Sequence, residues 1–314
     1  MKKRNIAFGV GAALIGAMIG IERCLGKKEI KQIKEYGTKI ESGHGRMNTL
    51  VLGEGDETIV LLSGYGTASP ILDFKPLAQK LAVSFRVVIL EYLGYGCSED
   101  TTLNRSVENI CSEIHSVMKR LKVEHFWLMP HSISGVYALA YANLYPEELD
   151  GVLAIDTSIP EQTDYRSASF DIYFSKLLDW LSLTRPLLKL KPQMFLPEEG
   201  VYEKEDRKQM KLRLMRHGTS KAIANEGKQI NKNMLQCRLL SFPKDLPVLM
   251  FVSDGNIKMT KGWWQTLHEK QIASLTNKEM KILKGSHYLH WNNSDIMAEE
   301  AKRFIQNHLI KRNA

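Results

Sequence analysis

Apolar residues in this chain fall into two alternating patterns. Short unbroken runs, such as Ile59-Val60-Leu61-Leu62, Phe126-Trp127-Leu128, Val152-Leu153-Ala154-Ile155 and Val248-Leu249-Met250-Phe251-Val252, read as strands buried on both faces. The run after Arg86, up to Leu90, reads the same way. Between the runs, apolar positions take helical spacing. Residues 70–83 and 136–142 do so, and residues 106–121 place Val107, Ile110, Ile114, Met118 and Leu121 on one stripe. Residues 38–42 and 48–53 add an opening pair of strands, closed by the turn Gly53-Glu54-Gly55-Asp56. The alternation stops over residues 157–245, a stretch rich in Leu, Lys and Arg. It resumes at Val248 with a helix near 260–274, a strand at Met280–Leu283 and a final helix over 294–309. Such alternation predicts an α/β fold: a mostly parallel central sheet with helices on both faces. The core then spans 36–156 and 246–314, and 157–245 is an inserted helical cap.

Composition adds limits rather than identity. A chain of 314 residues that is 44% hydrophobic and 25% charged can bury a sizeable core, and is neither a disordered nor a multi-span membrane sequence. The net charge of +8 is unevenly spread. Residues 1–35 hold eight Lys/Arg against three Glu, and residues 157–245 hold sixteen against eleven acidic residues, so the body of the chain is not basic. With no zinc spacing, helix-turn-helix or basic-aromatic interleaving, nucleic acid is not an expected partner. An anionic membrane surface fits the two basic segments better. Cys24, Cys97, Cys111 and Cys237 form no CxxC pair and read as free, small apolar side chains.

The amino terminus carries a membrane signal. Met1-Lys2-Lys3-Arg4 precedes an apolar run from Ile6 to Ile21 that is broken only by glycines. It falls between a signal-peptide core and a full bilayer span. Gly16 and Gly20 form a small-xxx-small pair, and the residues around Cys24 make a poor cleavage site. We expect residues 1–35 to be a single-pass anchor with a basic linker at the cell membrane; the alternative is secretion after cleavage. Lysines on both flanks leave the orientation open.

Candidate chemistry lies where the predicted strands end, because open parallel sheets bind ligands there. Met129-Pro130-His131-Ser132-Ile133-Ser134-Gly135 joins a strand to a helix. A serine on such a turn, with small neighbours two residues away, is a nucleophile elbow, and the Ile133 N–H at the helix start suits an oxyanion. After the first buried strand comes Ser63-Gly64-Tyr65-Gly66, whose Tyr65 N–H would point at the same place. Glu91-Tyr92-Leu93-Gly94-Tyr95-Gly96-Cys97-Ser98 follows the next, with glycines that serve backbone geometry. Gly285-Ser286-His287-Tyr288-Leu289-His290 follows the last strand and supplies His287 where a general base is needed.

With these turns in this order, the chain resembles the α/β-hydrolase family over roughly residues 45–310. The resemblance implies Ser132 as nucleophile and His287 as base. It departs from the family pattern at Pro130, where a glycine is usual, and at Ser63, where a histidine is usual. The acid is open. The family's usual position falls on Asn256, which carries no charge. Asp156, at the end of the strand after the elbow, and Asp254 are the two candidates, and Asp156 is preferred. His290 is an alternative base; His131 is expected to pack under the turn, and His125 to be structural.

The resemblance implies attack of Ser132 on a carbonyl carbon, an acyl-enzyme and hydrolysis, with no metal or cofactor required. Serine at the elbow argues against the dehalogenase and epoxide-hydrolase branches, which attack with aspartate. Apolar residues crowded between Phe170 and Leu187 suggest a medium apolar acyl group, hence a small-molecule ester substrate for an esterase or lipase-like enzyme. One alternative is an aminopeptidase of the same fold, with Glu198, Glu199 and Glu203 holding a free amine. Another is a catalytically silent binding protein. The sequence does not address oligomeric state.

Overall fold

β3 (Thr58–Leu62) is buried at every position and lies inside an eight-stranded sheet. The computed structural model describes residues 20, 24, 25, 28, 29, 31–162, 196, 197, 200–215 and 220–313. The other strands are β1 (Thr38–Glu41), β2 (Arg46–Leu52), β4 (Arg86–Glu91), β5 (Phe126–Pro130), β6 (Leu149–Ile155), β7 (Val248–Ser253) and β8 (Lys278–Leu283). Their order is β1-β2-β4-β3-β5-β6-β7-β8. β1 and β2 run antiparallel to their neighbours, and every pairing from β4 to β8 is parallel. The expected α/β architecture is therefore present.

The unbroken apolar runs follow from this topology. Each central strand meets helices on both faces, so alternation between polar and apolar positions is lost. On one face Ile59, Leu61, Val87, Ile89, Trp127, Met129, Leu153, Leu249 and Phe251 share a core with Phe74 and Leu77. Those two come from helix α1 (Pro70–Leu81), and Met297, Ala301, Phe304 and Ile305 come from the carboxy-terminal helix. Full burial of an aliphatic side chain contributes about 1.5–3 kcal/mol. This layer, rather than local propensity, holds the sheet. The other face is covered by α2 (Val107–Arg120) and α3 (Ser134–Leu144). Ser106 starts α2 as its N-cap, its hydroxyl accepting from the Asn109 amide.

The described residues fall into two compact units. Tyr36–Tyr165 with Ser220–Ala314 contains the sheet, and Met1–Glu35 with Arg166–Thr219 forms the other. Within the smaller unit, α4 (Lys204–Leu214) presents Gln209, which accepts from the Lys34 amide at 2.9 Å and donates to the Gln32 carbonyl at 2.8 Å. Lys34 also pairs with Glu205 at 3.1 Å. The expected cap region thus contains helix, but α5 (Lys221–Cys237) belongs to the unit with the sheet. Ala222, Ile223, Glu226, Ile230, Asn233, Met234 and Cys237 form its buried face. The chain continues with α6 (Asp254–Met259), α7 (Trp263–Ile272), α8 (Leu289–Asn292) and α9 (Ser294–Asn313). The apolar segment between Phe170 and Leu187, Glu198 and Glu199 lie outside the described residues. So does the run Ile6–Ile21 apart from Gly20. Among the described residues no helix is long and apolar enough to cross a membrane, so the N-terminal anchor has no support there.

Candidate active site

β5 ends at Pro130, and the chain turns into α3 through His131, Ser132 and Ile133. Ser132 takes φ +55°, a left-handed conformation that costs a residue bearing a Cβ. Neighbouring backbone pins it there. The His131 amide donates to Leu62 at the end of β3 (2.9 Å), and the Ser132 amide donates to Ile155 at the end of β6 (3.2 Å). The Ser132 carbonyl accepts from Gly135 (3.0 Å) and Ser158 (2.9 Å). Gly135 is obligatory here, since a Cβ would lie 2.4 Å from the Cβ of Thr157. Pro130 is the last residue of β5, so its missing N–H falls where the strand stops.

The Ser63–Gly66 turn after β3 packs directly on this elbow. A Cβ on Gly64 would stand 3.0 Å from the Ser132 Cβ and 3.0 Å from His131 Nδ1. The Ser134 hydroxyl donates to the Ser63 carbonyl at 2.5 Å and is itself 2.8 Å from the Tyr92 hydroxyl. The turn bearing the Tyr65 amide and the helix start bearing the Ile133 amide are thus stitched together.

His287 follows β8. Its Nδ1 lies 2.7 Å from Oδ2 of Asp156, which follows β6. The imidazole is about one-third exposed while the carboxylate is fully buried, so the pair has one wet end and one dry end. Asp156 also accepts from the Ser253 amide (2.9 Å), the Trp264 indole (2.8 Å) and Asn256 Nδ2 (2.5 Å). Burial alone would raise its pKa. The hydrogen bond and charge of His287, with the Ser253 and Trp264 donors, outweigh burial and hold the carboxyl below the usual aspartate range. A buried, ionised carboxylate on Nδ1 fixes the imidazole's tautomer and orients Nε2 outward.

A family model described as the alpha/beta hydrolase fold matches residues 57–294. The chain belongs to the α/β-hydrolase family. It is similar to uncharacterized protein YbdG of Bacillus subtilis (strain 168), at 28% identity over 296 residues that cover 89% of this chain and 88% of that protein. Among solved structures it resembles ALR0039 from Nostoc sp. PCC 7120, with TM-score 0.70 and 17% identity, covering 86% of this chain and 97% of that one. It also resembles the esterase EaEST from Exiguobacterium antarcticum, with TM-score 0.66 and 18% identity, covering 86% and 100%. At such identities the structural likeness is one of fold.

In this α/β hydrolase the second candidate acid sits elsewhere. Asp254 accepts from the Gly285 amide at 2.9 Å and pairs with Lys258 at 2.5 Å, so it anchors the loop that carries His287 rather than facing its imidazole. Asp254 starts α6, and its carboxylate turns toward the loop backbone. His290, the alternative base, is fully buried and faces Asp73 on α1 at 2.9 Å, an oxygen pair shared with the Trp291 indole at 2.8 Å. His131 packs under the turn as expected. Its ring centroid is 4.7 Å from that of His287, and its Nε2 donates to the His287 carbonyl at 3.1 Å. Burial, reinforced by the neighbouring His287 and His290, pushes its pKa far down, so it is neutral. His125 is exposed at the foot of β5.

The Gly94–Ser98 turn serves geometry. A Cβ on Gly96 would collide with the Glu91 carboxylate, which accepts from the Cys97 amide at 2.6 Å and from Asn48 at 2.9 Å. Glu203 precedes α4 in the smaller unit. None of the four cysteines forms a disulfide among the described residues, and Cys111 and Cys237 are buried. Among the described residues no cluster of His, Cys, Asp and Glu could hold a metal ion. Sequence reasoning missed Trp264 and the donor role of Asn256. Asn256 stood in view as the residue at the family's usual acid position, which marks it as adjacent to the imidazole.

Proposed function

We propose that this α/β hydrolase is a serine hydrolase that cleaves a carboxylic ester with an apolar acyl group, through an acyl-enzyme on Ser132. One observation carries the reading: the Asp156–His287 pair, 2.7 Å apart, stands beside an elbow whose serine is held at φ +55°. In the first half-reaction Ser132 Oγ attacks the carbonyl carbon and its proton passes to His287 Nε2. The oxyanion is received by the Tyr65 and Ile133 amides. The C–O bond then breaks, the leaving alkoxide takes the proton from His287, and the alcohol departs. Water attacks the acyl ester, gives a proton to His287, and releases the carboxylic acid as the proton returns to Ser132. Asp156 stays ionised throughout and stabilises the imidazolium.

The test is labelling with a fluorophosphonate probe, followed by turnover of 4-nitrophenyl esters of graded chain length. Wild-type protein should label and Ser132→Ala should not; equal labelling of both sinks the reading. Membrane attachment through residues 1–35 rests on the apolar run Ile6–Ile21 and its basic flanks. Cell fractionation of full-length protein against a version lacking residues 1–35 checks it, the full chain being expected in the membrane fraction.

A further inference from the structure

Helix α5 contributes a carboxylate that lies far from water yet has no place in the chemistry above. Glu226 is 1% exposed. Its Oε1 accepts from the Tyr137 hydroxyl and its Oε2 from the Tyr95 hydroxyl, both at 2.7 Å. Burying a carboxylate is unfavourable unless strong hydrogen bonds compensate, so the arrangement calls for a reason.

The reason lies in what the two tyrosines hold. Tyr137 belongs to α3, the helix whose first amide is that of Ile133. Tyr95 accepts from the Gly66 amide at 3.2 Å, and Gly66 adjoins Tyr65 in the turn after β3. One carboxylate therefore ties together the two elements that present the two oxyanion donors. α5 makes a second contact with the same turn, where the Tyr65 hydroxyl donates to the Ile223 carbonyl at 3.2 Å. The helix is in turn fastened at its start, since Asp100 accepts from the Lys221 and Ala222 amides, both at 3.0 Å. Burial raises the pKa of Glu226, and the negative charge of Glu113 adds to the rise; the Arg105 guanidinium, held by Glu113 at 2.6 and 2.9 Å, and the two tyrosine hydroxyls oppose it.

We infer that Glu226 is a positioning residue for the oxyanion hole, holding α3 and the Gly64–Gly66 turn at the separation where the Tyr65 and Ile133 amides meet one oxygen. Donors aimed at a developing charge lose their effect with small displacements, so slackening this tie should weaken the transition state and spare the ground state. The inference rests on the serine-hydrolase reading of the same site.

Two variants test it. Glu226→Gln keeps the shape but cannot accept from both tyrosines, and Tyr95→Phe keeps the ring but removes the link to Gly66. Thermal melts establish that each is folded. In both, kcat for a 4-nitrophenyl ester should fall about 10- to 100-fold with KM within about twofold. Affinity for an aryl boronic acid, which forms a tetrahedral adduct on serine, should fall by the same factor, and affinity for the product carboxylate should hold. If Glu226→Gln fails to fold, Tyr95→Phe alone decides. A folded variant whose kcat stays within about twofold of wild type overturns the inference and leaves the hydrolase reading standing. Equal weakening of boronate and carboxylate binding also overturns it, pointing to a general loss of structure. Wild type that neither labels nor turns over brings down both.

Discussion

Asn256 Nδ2 donates to Asp156 Oδ2 at 2.5 Å, and the same oxygen faces His287 Nδ1 at 2.7 Å. The family's usual acid position is thus occupied by a neutral amide that supports a carboxylate supplied from the end of β6. The carboxylate that faces the imidazole comes from the end of β6, one strand away, and Asn256 donates to it.

Asp156→Asn should lower kcat/KM by about 10⁴-fold while the protein stays folded, because an amide leaves the imidazole in the wrong tautomer. Asp254→Asn should cost no more than about tenfold, through a looser Gly285 loop. Steady-state kinetics on both variants, side by side, check the assignment. A reversed order would give the acid role to Asp254.

The two histidines after β8 should separate in the same way. His287→Gln should abolish fluorophosphonate labelling of Ser132. His290→Gln should keep labelling and lose stability by about 1–3 kcal/mol, since it removes the imidazole that shares buried Asp73 with the Trp291 indole. Urea melts and gel fluorescence read out the two effects independently.

His131 predicts a pH dependence with a definite sign. Its pKa in the folded protein is far below the ordinary 6.5. Below about 6.5 the unfolded chain binds a proton that the folded chain does not, so stability falls as pH drops from that point. His131→Gln places an amide donor near the position of Nε2, toward the His287 carbonyl, and cannot titrate. Between pH 6 and 5, wild type should therefore lose more stability than the variant, by at most about 1.4 kcal/mol per pH unit, as measured by urea denaturation. Parallel slopes would contradict this.

Gly135→Ala should cost about 1–3 kcal/mol, because its Cβ would meet Thr157 Cβ at 2.4 Å and the Ser158 carbonyl at 3.0 Å. Adding Thr157→Gly removes the first collision and should restore part of the loss. Calorimetry of the single and double variants measures the coupling; additive losses would mean that the two positions do not press on each other.

Most of the fold was legible because burial on both faces converts strands into unbroken apolar runs. β3 and β7 were recognisable from apolar runs of four and five residues for that reason. Ser132 and His287 were legible because function in such sheets gathers at strand ends. The partner of the imidazole was not, because β6 and β7 are neighbours and each is followed directly by an aspartate; only the directions of Asp156 and Asp254 in space separate them. The indole of Trp264 was invisible for a similar reason, since it reaches Asp156 across more than one hundred residues of chain. α5 looked like part of an insertion because its periodicity is that of any amphipathic helix. Nothing in that pattern says which body its buried face meets, nor that Glu226 on that face would be bound by Tyr95 and Tyr137.

Among the described residues, four that are not glycine adopt positive φ: Lys122, Ser132, Asp156 and Lys261. Two of these are the proposed nucleophile and the proposed acid. Glycine at Ser132 would relax the backbone by about 1 kcal/mol and abolish the side chain that the strain exists to aim; at Asp156 the same relief would be outweighed by the Ser253, Trp264, Asn256 and His287 groups left without their acceptor. Selection for heat resistance alone would thus push this protein toward silence at Ser132. Ser132→Gly should melt higher than wild type, and its greater stability would measure how hard the surrounding strands work to keep a serine there.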